Sequence, residues 1–231
     1  MTMNGILTEQ RNAAYTTPRP DVFALVPSTA LRVLDVGCSN GALGASLRMA
    51  REGRKVFGVE IDPSFAAEAE HHLDHVTCAD LNELDWTALL PGTMFDCIIF
   101  ADVLEHLLEP RNHLLKAKQR LQPGGCIVIS LPNIRHISSF YSIFIRGTFP
   151  SRSRGIFDRT HLRWFTISDA IRLVTELGMH VDQSSYVIRL GDQGGGIWNR
   201  LAIKVLGPIQ HFFPIREFLT YQFCLRLIAA K

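Results

Sequence analysis

This chain of 231 residues lacks several things, and each absence removes a class of protein. No apolar run approaches the ~18 residues that a membrane helix requires. No basic stretch at the N-terminus leads into an apolar segment, so a secretory leader is not expected. The five cysteines (Cys38, Cys78, Cys97, Cys126 and Cys224) are odd in number, scattered and without a C-x-x-C pair. That argues against a disulfide framework or a zinc site and for small buried thiols in a reducing compartment, so the expected location is cytoplasmic. Charge is not in excess either. With 20% charged residues and a net charge of +2, neither a disordered tail nor a whole-chain nucleic-acid binder is indicated. Internal repeats and low-complexity segments are absent as well. Finally, the dinucleotide fingerprint G-x-G-x-x-G is missing. Counted from Gly37, its second and third glycines fall on Ser39 and Ala42, which argues against a nicotinamide-dependent oxidoreductase.

What is present is an alternation. Short β-branched or apolar runs at 32–36, 55–60, 75–79, 95–101 and 126–131 are separated by helical patterns near 42–52, 63–73, 84–90 and 110–121. Runs such as Cys97-Ile98-Ile99-Phe100 are apolar on both faces, as in a sheet covered by helices on each side. Units of this length imply right-handed crossovers and an α/β, doubly wound, mostly parallel sheet. A further helix begins at Thr166-Ile-Ser-Asp169, a capping-box-like start, and is closed by Gly178; strands near 180–189 and 220–229 follow. The expected organisation is one domain over 1–231. It has an N-terminal cap (1–31), a lid inserted at 132–165 and a second insertion at 190–219 that carries Gly194-Gly195-Gly196 and Trp198.

The chemistry sits where the first strand hands over to a helix: Val33-Leu-Asp-Val-Gly-Cys-Ser-Asn-Gly-Ala-Leu-Gly44. An apolar run, an acid and a tight glycine turn let a ligand touch backbone at the carboxyl end of a strand. With Asp35, Gly37 and Gly41 in place and Ser39 for the middle glycine, the segment resembles motif I of the class I S-adenosylmethionine-dependent methyltransferases. That resemblance implies a seven-stranded sheet whose last strand enters antiparallel, with S-adenosyl-L-methionine as cofactor. It places the cofactor against Asp35, Gly37, Cys38, Ser39 and Gly41. Glu60, nineteen residues past Gly41 and followed by Ile61, stands near the spacing at which an acid reaches ribose hydroxyls. Asp80 resembles the family's adenine acceptor and Leu81 the residue that lies on the ring; as an alternative, Asp80 is a turn former. Ala101 would lie along the methionine part. Pro123-Gly124-Gly125 matches the family's turn before the fifth strand, so the resemblance runs over about 33–131.

Asp102, Glu105 and His106 are similar to a pattern that binds a divalent cation in some quinone-ring and RNA-end O-methyltransferases. The alternative, that Glu105 and His106 open a helix without metal, is the expectation adopted. The lid carries six arginines against one acid between 135 and 165, interleaved with seven aromatics. That suits an acceptor with an acidic and an apolar part, or base stacking on RNA, or simply a small aromatic core with solvated arginines. Its segment Asp158-Arg-Thr-His161-Leu-Arg163-Trp-Phe-Thr166 resembles one found in sugar, lipid-glycan and ubiquinone-type O-methyltransferases. His161 is the expected general base, with His106 and Asp158 in the catalytic set; a structural His161 held by Asp158 is the alternative. Tyr15 and Arg19 are candidates to close over the cofactor carboxylate. The expected activity is methyl transfer to a hydroxyl of a small molecule, sugar or lipid-linked intermediate, with nucleic acid not expected as partner. The alternative is a non-catalytic cofactor-binding partner of a neighbouring enzyme. The amphipathic stretch Ile197–Leu219 allows peripheral membrane contact, a dimer contact or simple burial.

Overall fold

The structure is a computed structural model in which residues 19–189 and 215–230 are described. Tyr15, the triple glycine at 194–196 and most of the 197–219 stretch lie outside them. The strands are β1 (Arg32–Val36), β2 (Lys55–Glu60), β3 (His75–Cys78), β4 (Phe95–Ala101), β5 (Leu121–Pro132), β6 (Met179–Ile188) and β7 (Thr220–Ala229). They form one sheet in the order β3-β2-β1-β4-β5-β7-β6. Strands β1 to β5 pair in parallel, and β7 enters antiparallel to both β5 and β6. The helices are α1 (Pro20–Phe23), α2 (Ala42–Ala50), α3 (Pro63–Ala69), α4 (Pro110–Gln119), α5 (Ile137–Phe140), α6 (Ile167–Glu176) and α7 (Ile215–Leu219).

The two-sided apolar strands account for the layers. Alternate residues of the strands point to opposite faces. Leu34, Val36, Ile98, Phe100, Ile127 and Ile129 meet Leu114 and Ala117 of α4 and Ala170 and Val174 of α6. Val33, Val56, Cys97, Ile99 and Val128 meet Val22 of α1, Leu43 and Leu47 of α2, and Ala66 and Ala69 of α3. All five cysteines are free thiols.

Three local expectations are corrected. The helix expected at 84–90 is a single turn: Asp85 caps Thr87 through its side chain (2.8 Å), its carbonyl accepts from Ala88 and Leu89, and Pro91-Gly92 follow. Trp86 and Leu89 are buried without needing a longer helix. The helix expected at 63–73 stops at Ala69. The Pro123-Gly124-Gly125 turn is not a turn before β5 but an irregularity inside it. Phe95 pairs with Leu121 and Cys97 with Cys126, so residues 122–125 loop out while the strand continues. Gly124 takes φ +81°, which only a glycine adopts without strain. The start of α6 is as expected: Thr166 accepts from Asp169 N at 3.0 Å, and Gly178 ends the helical stretch at φ +66°.

Candidate active site

The carboxyl ends of β1, β2, β3 and β4 open into one cavity of about 820 Å³. Its first wall is the loop after β1. There Gly37, Ser39 and Gly41 all take left-handed φ angles (+75°, +49° and +81°), which a run of ordinary side chains would not tolerate. Gly37 and Cys38 donate to the Val59 carbonyl at 2.7 and 3.0 Å, tying the loop to β2. Gly37 also has no room for a side chain, since a Cβ would lie 2.5 Å from Val103 Cγ2. Glu60 holds the loop from the other side. Its Oε2 accepts from Ser39 N at 2.8 Å and its Oε1 from Asp62 N at 3.0 Å.

The sequence's cofactor set converges here. Asp35, Gly37, Cys38, Ser39, Glu60, Ile61, Asp80, Leu81 and Ala101 all line the cavity. Gly41 does not. A Cβ at Gly41 would meet Ala69 Cα and Cβ at 3.2 and 3.3 Å, so its place is the close approach of α2 to α3. Asp80 also fills the turn-former role, accepting from Asn82 N at 2.9 Å. Asp35 Oδ1, Ser39 Oγ and Glu105 Oε2 are buried without a hydrogen bond, and all three residues line the cavity. Burial first, and then the neighbouring Glu60 charge, push Asp35 up to about 7. These orphaned acceptors and acids suit a cationic, hydroxyl-bearing ligand such as S-adenosylmethionine.

The second wall comes from the lid. His161 Nδ1 lies 3.1 Å from the Ile156 carbonyl and His106 Nδ1 lies 3.1 Å from the Thr160 carbonyl. A carbonyl only accepts, so each Nδ1 donates there, and in the neutral His161 ring Nε2 keeps its lone pair. The two rings meet edge to face at 4.8 Å. His161 Nε2 lies 4.0 Å from Glu105 Oε1. Burial, and then His106, lower the pKa of His161, which favours the neutral ring. Burial, and then Asp102, raise that of Glu105 and favour its neutral acid. One ligand atom each from Glu105, His106 and His161 falls within 4.8 Å of the others, a spacing that can also hold a divalent ion.

Two side chains expected in this group are engaged elsewhere. Asp102, at φ +58°, turns to Arg19 (Nη1 to Oδ2, 2.6 Å) and Ser130 (2.9 Å), and His161 stands in the cluster in its place. Asp158 does not bond the His161 ring; its Oδ1 accepts from Thr160 N and Oγ1 at 2.9 and 2.7 Å and shapes the lid turn. Arg19 lines the cavity, held by Asp21 and Asp102 together with Ser130. Burial works against its charge, but Asp102 and Asp21 outweigh that and keep the guanidinium firmly protonated. Pro132, Tyr221 and Gln222 were not foreseen. They reach the cavity because β7 pairs with β5, setting Gln222 opposite Pro132.

A sequence model described as a methyltransferase domain matches residues 7–184. The ubiquinone biosynthesis O-methyltransferase of Cereibacter sphaeroides is 33% identical over 122 residues, 52% of this chain and 48% of that protein. Its namesake in Azorhizobium caulinodans is 30% identical over 162 residues, 68% of this chain and 61% of that protein. The chain thus spans about half the length of the first relative. Among solved structures, the magnesium protoporphyrin IX methyltransferase of Synechocystis PCC 6803 with bound SAH superposes with a TM-score of 0.62 at 16% identity, over 100% of this chain and 89% of that one. A SAM-dependent methyltransferase of Thermotoga maritima gives 0.61 at 15% identity, over 96% and 92%. The family match over most of the chain leads to one assignment, and the superpositions agree with it in fold: the chain belongs to the methyltransferase domain family, with the class I methyltransferase fold.

Proposed function

We propose that this chain transfers the methyl group of S-adenosylmethionine to a hydroxyl oxygen of a small molecule, a sugar or a lipid-linked intermediate. The observation that carries this is a single cavity that runs from the glycine loop and Glu60 to His161 and is lined by Asp35, Ser39 and Glu105, each with a buried polar atom that lacks a hydrogen bond. Glu60 and Ile61 would face the ribose, Asp80 and Leu81 the adenine, and Asp35, Gly37 and Ala101 the methionine part. The acceptor would sit between the sulfonium and the lid, beside Tyr221 and His161. There these residues would hold S-adenosylmethionine, which would supply an electrophilic methyl group and a neutral thioether leaving group, and would align the acceptor hydroxyl with that methyl. The hydroxyl proton goes to His161 Nε2, the lone pair that the Ile156 contact leaves free. Much of the rate comes from alignment and the exclusion of water. The O-methyltransferase relatives support an oxygen acceptor, and five free thiols support a reducing, cytoplasmic setting.

The clustering of Glu105, His106 and His161 favours a second reading, in which these residues hold a divalent ion that makes the acceptor hydroxyl more acidic. Incubation with methyl-labelled cofactor and fractionated cell extract tests the main proposal. Label is expected in hydroxyl-bearing small molecules or lipids. Cofactor binding with no labelled fraction would instead indicate a non-catalytic partner protein.

A further inference from the structure

One cation on the cavity wall has no acid to meet. Two arginines line the cavity, Arg19 and Arg154. Arg19 is held by Asp21 and Asp102. Arg154 is exposed, and among the described residues no acid pairs with it. Other arginines of the lid are placed differently. Arg135 meets Glu217 at 2.6 Å, Arg163 lies 3.8 Å from Glu109, and Arg146 and Arg159 are exposed without lining the cavity. A guanidinium stays charged at any working pH and forks two donors toward a carboxylate or a phosphate.

The chain around Arg154 is tightly held. It stands in a turn closed by three backbone bonds of 2.9 Å: Arg152 N to the Phe157 carbonyl, Asp158 N to the Gly155 carbonyl, and Arg159 N to the Arg152 carbonyl. Gly155, at φ +82°, supplies the left-handed residue of that turn. The aromatic side chains of the lid brace it. Phe149 packs edge to face on Phe157 at 5.0 Å and on Trp164 at 5.2 Å, and Trp164 Nε1 donates to the Ile156 carbonyl at 3.1 Å. The same carbonyl accepts from His161 Nδ1. Arg154 is thus two residues from the anchor of the His161 ring, at most ~7 Å of extended chain. The acids of this wall are engaged: Asp102 with Arg19, Asp158 with Thr160, and Glu105 facing His161 at 4.0 Å.

We propose that Arg154 binds an anionic group of the methyl acceptor, a carboxylate or a phosphate, so that the acceptor is an anionic hydroxyl compound. This rests on the methyl-transfer reading and narrows its substrate class. The acceptor hydroxyl would point to His161 while the anion meets Arg154 on the same wall, and two points of attachment orient the molecule. A cationic cofactor in the same cavity favours an acceptor of that sign.

The test incubates the full chain with methyl-labelled cofactor and cell extract, then passes the products over an anion-exchange resin at about pH 8, where carboxylates and phosphates are ionised. Label is expected in compounds that the resin retains. Phosphatase treatment separates the two sources: a phosphate monoester loses its retention and a carboxylate keeps it. Arg154→Gln should lower the initial rate in dilute extract at least ~tenfold, with the deficit narrowing as the extract is concentrated, and Arg154→Lys should recover most of the rate. Both variants alter an exposed side chain, so melting temperature and affinity for S-adenosylhomocysteine should be unchanged. Label confined to uncharged compounds would overturn the proposal and leave methyl transfer standing. No label in any fraction would remove methyl transfer itself, and the proposal with it. Equal rates for the wild type and Arg154→Gln in dilute extract would also overturn it. So would a loss of S-adenosylhomocysteine affinity, because Arg154 would then serve the cofactor's carboxylate. Label that ribonuclease releases would overturn it too, because the anion would then be a nucleic-acid backbone.

Discussion

Asp35 provides the most quantitative consequence of the site. Its carboxylate is 2% exposed, its Oδ1 has no hydrogen-bond partner, and burial with the nearby Glu60 charge raises it from an ordinary 3.8 to about 7. A tenfold change in proton affinity is worth ~1.4 kcal/mol, so ionising Asp35 in the ligand-free fold costs about 4 kcal/mol. The sign is set by that elevation. The folded state binds this proton more tightly than the unfolded one, so the stability it contributes is full below about pH 4 and is lost as pH rises through about 7. A cationic cofactor reverses the preference, because the sulfonium favours the carboxylate. Cofactor binding should therefore release a proton near neutrality, and the Kd should tighten about tenfold between pH 6 and 8, then level off. Calorimetry in buffers of different ionisation enthalpy reads both quantities. Asp35→Asn, a neutral isostere, should flatten the profile, weaken binding at pH 8 and raise the melting temperature of the free protein at pH 8 but not at pH 5. A Kd that is level from pH 6 to 8, or proton uptake on binding, would refute the reasoning.

The other predictions follow from individual contacts. His161→Ala should lower turnover at least ~100-fold with cofactor affinity and melting temperature retained. Under the His161 reading, EDTA leaves wild-type turnover intact; loss on chelation and rescue by a divalent ion would move the assignment to the metal reading. Gly41→Ala should lower stability by about 1–3 kcal/mol in urea unfolding, through its left-handed φ and the contact with Ala69, while the folded fraction keeps its cofactor affinity. A loss of affinity without loss of stability would return Gly41 to the cofactor contacts. Arg135→Ala strands the fully buried Glu217, whose Oε1 already lacks a partner, and should cost about 3 kcal/mol by the same measurement. An unchanged unfolding midpoint would show the pair to be dispensable.

Where the sequence was legible, local chemistry had left a mark. The parallel strands could be read because two-sided burial makes an uninterrupted apolar run, as at Cys97–Phe100. The loop after β1 could be read because a chain that turns tightly at the end of a strand needs glycine or a small residue, as at Gly37 and Ser39. At Gly41 the same glycine spacing also serves helix packing, a use that only its distance to Ala69 reveals. His161 was legible from its segment, but its partner was not. Proximity in sequence favoured Asp158, which folds back on Thr160, while Glu105, more than fifty residues earlier, comes to 4.0 Å. Tyr221 and Gln222 carried no local signal, since the antiparallel pairing of β5 and β7 alone delivers them. The outward-facing apolar side chains of residues 137–145 escaped for a related reason. Their helical spacing resembles that of a buried face, and only the exposure of Phe144 and Ile145 shows which way they point.

The most direct test of the central claim is a crystal structure of the protein soaked with S-adenosylhomocysteine. The account predicts density in the cavity with the ribose hydroxyls on Glu60, the adenine against Leu81 beside Asp80, and the sulfur directed toward His161. An empty cavity at saturating ligand, or a ligand bound away from the carboxyl ends of β1 and β2, would contradict it.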